Sequence, residues 1–236
     1  MSSSAQQASK KQRKCHEVTH VLVIDVEATG QNLVQNWMPE FGAVVSQIGC
    51  TSFDGSFYAC LQQPDNTEWD LLTKREFWDN PDHGKDGKTP RALLSERQAS
   101  NVQETPREAM KRFCDWCTEQ KNNVRKAGGK MLVFFDTAGF DASWINYYLS
   151  KYGKDCSNIN QLFGDYSPAR DIDSFKFGMA RQLKVWGSEN VALEAIGESE
   201  LPDWVTSHEH NHNPLSDAKH IAAQCSFFLD ACLEDQ

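Results

Sequence analysis

Asp25 and Glu27 are the residues whose type and spacing point most directly to chemistry. They follow the aliphatic run Val21–Ile24, a pattern typical of a strand that is buried on both faces of a sheet. Side chains two residues apart in a strand point to the same face, about 6.6–6.8 Å apart along the chain. Because two like charges beside a hydrophobic core repel each other, a bound divalent cation would stabilise them. The alternative interpretation is a surface turn that carries two acids by chance.

The strand then ends in three small residues, Ala28, Thr29 and Gly30. Small side chains and a glycine allow the backbone of a substrate to approach the two acids closely. We therefore expect Ala28 and Thr29 to contact a bound substrate.

Two further acids lie at the starts of predicted helices. Asp141 follows the buried strand Met131–Phe135, and Asp217 lies in the first turn of the last helix, which Asn213 caps. His212 stands five residues before Asp217. Taken singly, either acid has an ordinary explanation, because the helix dipole favours acids in the first turn. Ligands of α/β sheets collect at strand ends, so we expect the four acids to meet there.

The chain carries three segments that resemble, in order, the motifs of the DEDDh family of 3′→5′ exonucleases: Val23–Gly30, Phe140–Trp144 and His212–Ala218. This family includes ribonuclease T, oligoribonuclease and polymerase proofreading domains. The resemblance implies an α/β fold of the ribonuclease H-like type, with a mixed sheet flanked by helices. The residues alone favour the same architecture, because a hairpin-rich first half precedes an alternation of strands and helices.

The resemblance also implies the roles of the site residues. Asp25, Glu27, Asp141 and Asp217 would hold two divalent metal ions, Mg²⁺ or Mn²⁺, which are the hard cations that carboxylates favour. His212 would act as the general base that takes a proton from the attacking water. The expected substrate is single-stranded RNA or DNA, shortened from its 3′ end to nucleoside 5′-monophosphates.

The expected substrate contacts rest on weaker patterns than the metal ligands. Thr137 stands where many relatives carry asparagine, and the loop Gln31–Gly42 is longer than usual. Trp78, Phe77 or Trp37 could stack on a terminal base, a contact worth about 1–3 kcal/mol per base. Packing in the core is an equally good explanation for each of these aromatic residues.

Two other functions stay open. His208–His212 (His-Glu-His-Asn-His) formally matches HExxH, the motif of zinc metalloproteases. That motif needs both histidines on one continuous helix, whereas Pro214 disfavours a helical conformation at Asn213. A nucleic-acid-binding module without activity is the other alternative, and it leaves unexplained why all five catalytic positions are filled.

Composition limits the remaining possibilities. The 236 residues suit one α/β domain, and no run of about 18 apolar residues is present to span a membrane. The polar, lysine-rich start predicts a disordered basic arm over residues 1–18, followed by a single exonuclease domain over residues 19–236. Eight cysteines without framework spacing favour an intracellular location, in the cytoplasm or the nucleus. The net charge of −9 argues against broad contacts with the phosphates of a long duplex. The resemblance leaves a homodimer possible.

The elements that position these residues follow from periodicity and turn residues. They are a hairpin of Val44–Phe53 and Ser56–Leu61 turning at Asp54-Gly55, a strand over Met131–Phe135, a short strand and helix within Ile172–Trp186, and helices after Thr105, over Ala142–Tyr152 and over Leu215–Cys232. Trp37–Phe41 is predicted to be a loop with exposed aromatic residues. Gln63–Thr105 is predicted to be polar and turn-rich, with a flexible loop over Asp79–Pro90. Cys114 and Cys117 are predicted to be buried thiols on a helix face.

Overall fold

A computed structural model describes residues 18–153, 156–163, 169–182 and 189–234 of the chain. The predicted N-terminal arm lies outside the described residues, except for Val18, with which the first strand begins. The last residues of the predicted segment Ile172–Trp186 also lie outside them. That residues 19–236 form a single domain stays a prediction.

The described residues contain one mixed, six-stranded sheet. Its strands are β1 Val18–Glu27, β2 Glu40–Gln47, β3 Phe53–Leu61, β4 Gln103–Glu104, β5 Lys130–Phe135 and β6 Arg170–Asp171. They lie in the order β4-β3-β2-β1-β5-β6. The first three strands are antiparallel, whereas β5 is parallel to β1, β6 to β5 and β4 to β3.

Helices flank this sheet. Within the described ranges the α-helices are α1 Leu71–Thr73, α2 Pro90–Ser100, α3 Pro106–Lys126, α4 Ala138–Tyr152, α5 Ile159–Phe163, α6 Ile172–Gln182, α7 Glu189–Ala195, α8 Asp203–Thr206 and α9 Pro214–Glu234. A π-helical turn, Lys74–Trp78, and a 3₁₀ turn, Pro81–His83, connect α1 to α2. The predicted mixed sheet flanked by helices is confirmed. None of the described helices combines the length and the apolar character that a membrane span needs.

Side chains that alternate along β1 divide the core into two layers. Leu22 and Ile24 pack on the face that α3, α4 and α5 cover. Val21 and Val23 point to the opposite face and pack against α9. Because every second side chain of a strand shares a face, Asp25 lies on the α9 side with Val23. The continuous aliphatic run is therefore explained by burial on both faces.

The predicted turn at Asp54-Gly55 is wrong. The chain turns earlier, just after β2, where Gly49 has a φ of 75°. Ser46 pairs with Phe53, whereas the residue before Ser46 pairs with Gly55. Asp54 is thus an extra residue in β3, where it forms a β-bulge. A bulge and a tight turn favour the same residue types, so this dipeptide does not distinguish them.

The prediction of an exposed loop over Trp37–Phe41 is also wrong. Trp37 is 4% exposed and Phe41 is fully buried, and β2 already begins at Glu40. The backbone N–H of Met38 donates to the hydroxyl of Tyr148 in α4 at 3.0 Å. The ring of Phe41 packs against Phe57 of β3 and Phe113 of α3, with centroids 5.4 and 5.2 Å away, so contacts distant in sequence bury it.

Helix α2 lies inside the segment that was predicted to be polar and turn-rich. The Thr89 hydroxyl accepts from the backbone N–H of Ala92 at 3.2 Å, and Pro90 is the first helical residue. Thr105 begins α3 with the same Thr-Pro signal, and its predicted capping box is confirmed. The periodicity of α2 is weak because Leu94 is its one buried side chain after Pro90. A start signal is present, but the apolar face is too narrow to reveal the helix.

The other predicted elements are confirmed with small shifts at their ends. β5, α4 and α9 match the predicted strand and helices, and β6 followed by α6 matches the described part of Ile172–Trp186. The segment Asp79–Pro90 contains local structure, namely the 3₁₀ turn and a β-bridge between Lys85 and Lys88. In α3, Cys117 is buried and Cys114 is partly buried.

Gly42 brings the start of α9 close to the sheet. It lies opposite Asp25 in the ladder between β1 and β2. A methyl group at Gly42 would lie 2.5 Å from backbone atoms of Pro214 and Leu215. The missing side chain lets the first turn of α9 contact β2 directly, which carries Asp217 towards the end of β1.

Replacing Gly42 should therefore disturb both stability and the site. We expect Gly42→Ala to destabilise the chain by about 1–3 kcal/mol in urea unfolding, since the added methyl group has no space. Gly178→Ala is the matched control, because its new methyl group meets nothing within 4 Å on α6. That control should be neutral or stabilise the helix by up to about 1 kcal/mol. Equal stability of the Gly42→Ala chain and the wild type would contradict the described contact.

Candidate active site

The carboxyl end of β1 carries a buried cluster of acids. Asp25 and Glu27 are each 6% exposed and point to the same side of the sheet. Carboxylate oxygens of Asp25, Glu27 and Asp217 lie within 4.8 Å of one another. Three of the four predicted metal ligands are therefore placed together.

The fourth acid, Asp141, joins the cluster from the first turn of α4. Its side chain is 3% exposed. The backbone N–H of Thr137 donates to Asp141 Oδ2 at 2.9 Å, and the N–H of Val26 also donates to this carboxylate. Burial is the largest cause of the raised pKa of Asp25, and repulsion by Asp141 is the second. The end of β1 and the start of α4 thus hold Asp141 beside the other acids.

Asp217 is held by the loop that precedes α9. The backbone N–H of Asn211 donates to Asp217 Oδ1 at 2.7 Å. The second oxygen, Oδ2, is buried and has no hydrogen-bond partner among the described residues. A buried carboxylate oxygen without a donor is costly, so this atom is suited to a cation that the cluster would bind.

Burial raises the pKa values of all four acids, and repulsion by neighbouring acids raises them further. Burial raises the pKa of Asp141 to about 8 and that of Asp217 to about 6. Burial and the neighbouring Asp141 raise the pKa of Asp25 well above its usual range. Burial and Asp217 do the same to the pKa of Glu27. Without a cation, the cluster is therefore partly protonated near neutral pH.

His212 lies beside the acids in a left-handed backbone conformation, with a φ of 56°. Its Nδ1 is 3.8 Å from Glu27 Oε1, and the ring of Phe77 meets it edge-on at 4.7 Å. Burial, followed by the nearby His210 and His83, lowers the pKa of His212 to about 4. The lowered pKa keeps the imidazole neutral at pH 7, so that one ring nitrogen carries a free lone pair.

A partly buried ion pair that the sequence patterns do not reveal supports His212. Arg97 of α2 donates to the His212 carbonyl at 2.9 Å and to Glu40 Oε2 at 2.9 Å. Glu40 is fully buried, pairs with Glu27 across β1 and β2, and accepts from the Tyr58 hydroxyl at 2.6 Å. Arg97 thereby ties α2, the sheet and the His212 loop together. Glu40 and Arg97 are 57 residues apart, so no local motif joins them.

Three predicted substrate contacts are themselves buried. Trp78 is fully buried, and its Nε1 donates to the carbonyl of Ala28 at 3.0 Å. Thr29 is also fully buried, and its hydroxyl accepts from the backbone N–H of Trp37 at 3.0 Å. These contacts shape the exit of β1. The expectation that Trp78 stacks on a base does not fit this placement, whereas Phe77 is partly exposed beside His212.

The HExxH match does not lie on a helix. His208–His212 belongs to the connection between α8 and α9, and the second helix begins only at Pro214. A zinc protease motif requires both histidines on one helical face. The metalloprotease alternative is therefore wrong for this segment.

Comparisons with known proteins agree with this architecture at the level of the fold. Neither protein-family models nor curated proteins give a match to the chain. Among solved structures, an exonuclease I matches with a TM-score of 0.53 and 10% identity over 89% of this chain. Exonuclease I from Methylocaldum szegediense matches with a TM-score of 0.53 and 13% identity over 92% of this chain.

A third match is Escherichia coli exonuclease I in complex with a dT13 oligonucleotide, with a TM-score of 0.52 and 13% identity over 88% of this chain. The chain shares its fold with part of exonuclease I. It spans only 40–41% of the length of these three exonuclease I chains.

The raised pKa values predict how the stability of the metal-free chain depends on pH. Asp141 has a folded pKa of about 8, against about 3.9 in an unfolded chain. The folded state therefore binds more protons between these values, and its stability falls as the pH rises from about 4 to 8. We expect Asp141→Asn to raise the melting temperature in EDTA more at pH 8 than at pH 5, by about 2–4 °C per kcal/mol relieved.

Asp65→Asn serves as the control for this comparison, because Asp65 is exposed. It should leave the melting temperature nearly unchanged at both pH values. If Asp141→Asn also had the same small effect at pH 5 and pH 8, the Asp141 carboxylate would not be under electrostatic strain.

Proposed function

We propose that the chain is a metal-dependent 3′→5′ exonuclease of the DEDDh family. Its substrate would be single-stranded nucleic acid, which it hydrolyses from the 3′ end to nucleoside 5′-monophosphates. One observation carries the proposal: four buried acids meet at the end of β1 with a neutral histidine beside them, namely Asp25, Glu27, Asp141, Asp217 and His212. These residues are the ones that the three sequence motifs select.

The donor set fits a pair of hard divalent cations. Every ligand is a carboxylate, which favours Mg²⁺ or Mn²⁺. Asp217 Oδ2 has no hydrogen-bond partner in the part of the chain that the structure describes, and the pKa of Asp25 is raised; both support a site that is incomplete without positive charge. When bound, such ions align the attacking and leaving oxygens of a phosphodiester and offset its developing charge.

His212 is suited to act as the general base. An imidazole nitrogen of the neutral ring accepts the proton of the attacking water, which becomes the nucleophile. Glu27 lies 3.8 Å from His212 Nδ1 and stabilises the imidazolium that forms. Arg97 holds the carbonyl of His212 and so keeps the ring in place.

The substrate class follows from charge and from the fold. The net charge of −9 disfavours extended contacts with duplex phosphates, whereas a few terminal nucleotides need only a small site. One structure with this fold is a complex of exonuclease I with a dT13 oligonucleotide, which supports a single-stranded substrate. A homodimer and an intracellular location, both expected from the sequence, stay predictions.

A degradation assay tests the reaction and its ligands. The wild type should shorten end-labelled single-stranded RNA or DNA from the 3′ end, release nucleoside 5′-monophosphates and stop in EDTA. The four isosteric variants Asp25→Asn, Glu27→Gln, Asp141→Asn and Asp217→Asn should each lower the rate by more than about 10³-fold, because each removes charge that stabilises the transition state.

Asp136→Asn is the matched control for these variants. Asp136 is a partly buried carboxylate near the cluster, but it lies outside the predicted ligand set. This variant should keep most of the activity. Shortening from the 5′ end, or activity that survives EDTA, would contradict the proposed reaction. Binding without any turnover would favour the non-catalytic module.

The general base makes a second, separate prediction. His212→Ala should lower the rate by about 10²–10⁴-fold, the usual contribution of a positioned base. The loss should shrink at high pH, where hydroxide replaces the activated water, and Mn²⁺ binding should be almost unchanged.

His208→Ala is the control for His212→Ala. His208 packs against Phe53, with 5.1 Å between the ring centroids, and contributes no ligand atom to the carboxylate cluster. Its loss should be nearly silent in the same assay. Equal losses of rate at both positions would remove His212 from the role of base.

A further inference from the structure

Histidines are concentrated at one cleft beside the acid cluster. Five of the seven histidines of the chain line this cleft, which has a volume of about 520 Å³: His83, His208, His210, His212 and His220. The proposed hydrolysis uses one of these five. Imidazole is a preferred ligand of zinc and related transition metals rather than of Mg²⁺.

Two of these histidines, His210 and His212, lie close to Asp217, so that three potential metal ligands come together beside the cleft. Ligand atoms of His210, His212 and Asp217 all lie within 4.8 Å of one another. His210 Nε2 is 3.8 Å from Asp217 Oδ2, and this oxygen is buried without a hydrogen-bond partner among the described residues. A side chain that is 1% exposed therefore directs an unused acceptor towards an imidazole.

The geometry requires only small movements to close around a metal ion. Ligands of a tetrahedral Zn²⁺, at bonds of about 2.0–2.2 Å, lie roughly 3.4 Å apart. His210 can supply the movement, because its side chain is 45% exposed. The three residues leave the fourth tetrahedral position for water.

We propose that His210, His212 and Asp217 form a site for Zn²⁺, or a transition metal of similar chemistry, that switches the exonuclease off. The inhibitory consequence rests on the proposed function, whereas the site itself does not. A His212 nitrogen that binds Zn²⁺ has no lone pair left for the proton of the attacking water. Asp217 is shared with the carboxylate cluster, so Zn²⁺ at this site opposes the binding of Mg²⁺ at the other.

His210 separates the two sites, because it belongs to the histidine-containing group and not to the carboxylate group. Its loss should weaken Zn²⁺ without removing any ligand of Mg²⁺. His208→Ala is the matched control, since His208 lines the same cleft but contributes no ligand atom to either group.

The test begins with metal binding to the full chain, without nucleic acid. Co²⁺ is titrated into wild-type, His210→Ala and His208→Ala chains, and its visible absorption distinguishes a four-coordinate site with nitrogen ligands from a carboxylate site. The wild type and His208→Ala should bind one Co²⁺ with intense absorption, which Zn²⁺ then displaces. His210→Ala should bind it more than about 100-fold more weakly, since even loss of an outer partner costs 10–100-fold.

The second arm measures Mg²⁺-dependent degradation as Zn²⁺ is added, with each variant compared with its own rate in the absence of zinc. The half-inhibitory Zn²⁺ concentration should rise at least about tenfold in His210→Ala and stay unchanged in His208→Ala. Co²⁺ absorption and affinity that are the same in His210→Ala and the wild type would overturn the proposed site, even if the chain is an exonuclease. Co²⁺ binding that depends on His210 in a chain without nuclease activity would keep the site and reject the exonuclease proposal instead.

Discussion

Electrostatic repulsion among buried carboxylates is the constraint on which the rest of this structure depends. Asp25, Glu27, Asp141 and Asp217 are each at most 6% exposed, and burial raises the pKa of each one. Removing one carboxylate from water is already costly, and the neighbouring acids add to that cost. A hydrophobic sheet and its helices must therefore supply the stability that keeps the acids together. In return, the cluster presents a strong negative field to a cation.

The fold brings acids from separate elements together at one end of β1. Gly42 allows the first turn of α9 to touch β2, and backbone N–H groups orient Asp141 and Asp217. Arg97 forms a partly buried ion pair with the fully buried Glu40 and donates to the carbonyl of His212. Removing one partner of such a pair costs about 3–5 kcal/mol, because the other charge stays buried. Residues outside the carboxylate cluster thus help to fix its geometry.

The sequence was sufficient to predict the central strand, the mixed sheet and the meeting of four acids and His212 at the end of β1. Each of these leaves a local pattern, such as the aliphatic run before Asp25 or the Asn-Pro start of α9. Arg97 and Glu40 leave none, since their contact spans 57 residues and two elements. The role of Trp78 could not be predicted for a different reason: an aromatic residue in a polar segment can pack in the core or stack on a substrate base at the surface. Asp54 could belong to a turn or a bulge, and only the pairing of β2 with β3 decides between them.

The most direct test of this account is to count the protons that leave the chain when Mn²⁺ binds. Calorimetric titration at pH 7, in buffers with different enthalpies of ionisation, measures that number. Burial raises the pKa of Asp141 to about 8, which predicts that close to one proton is released per chain. The release should fall when Asp141 is replaced by asparagine. Binding of Mn²⁺ without proton release, or no Mn²⁺ binding at all, would contradict the central claim that buried, protonated carboxylates form the metal site.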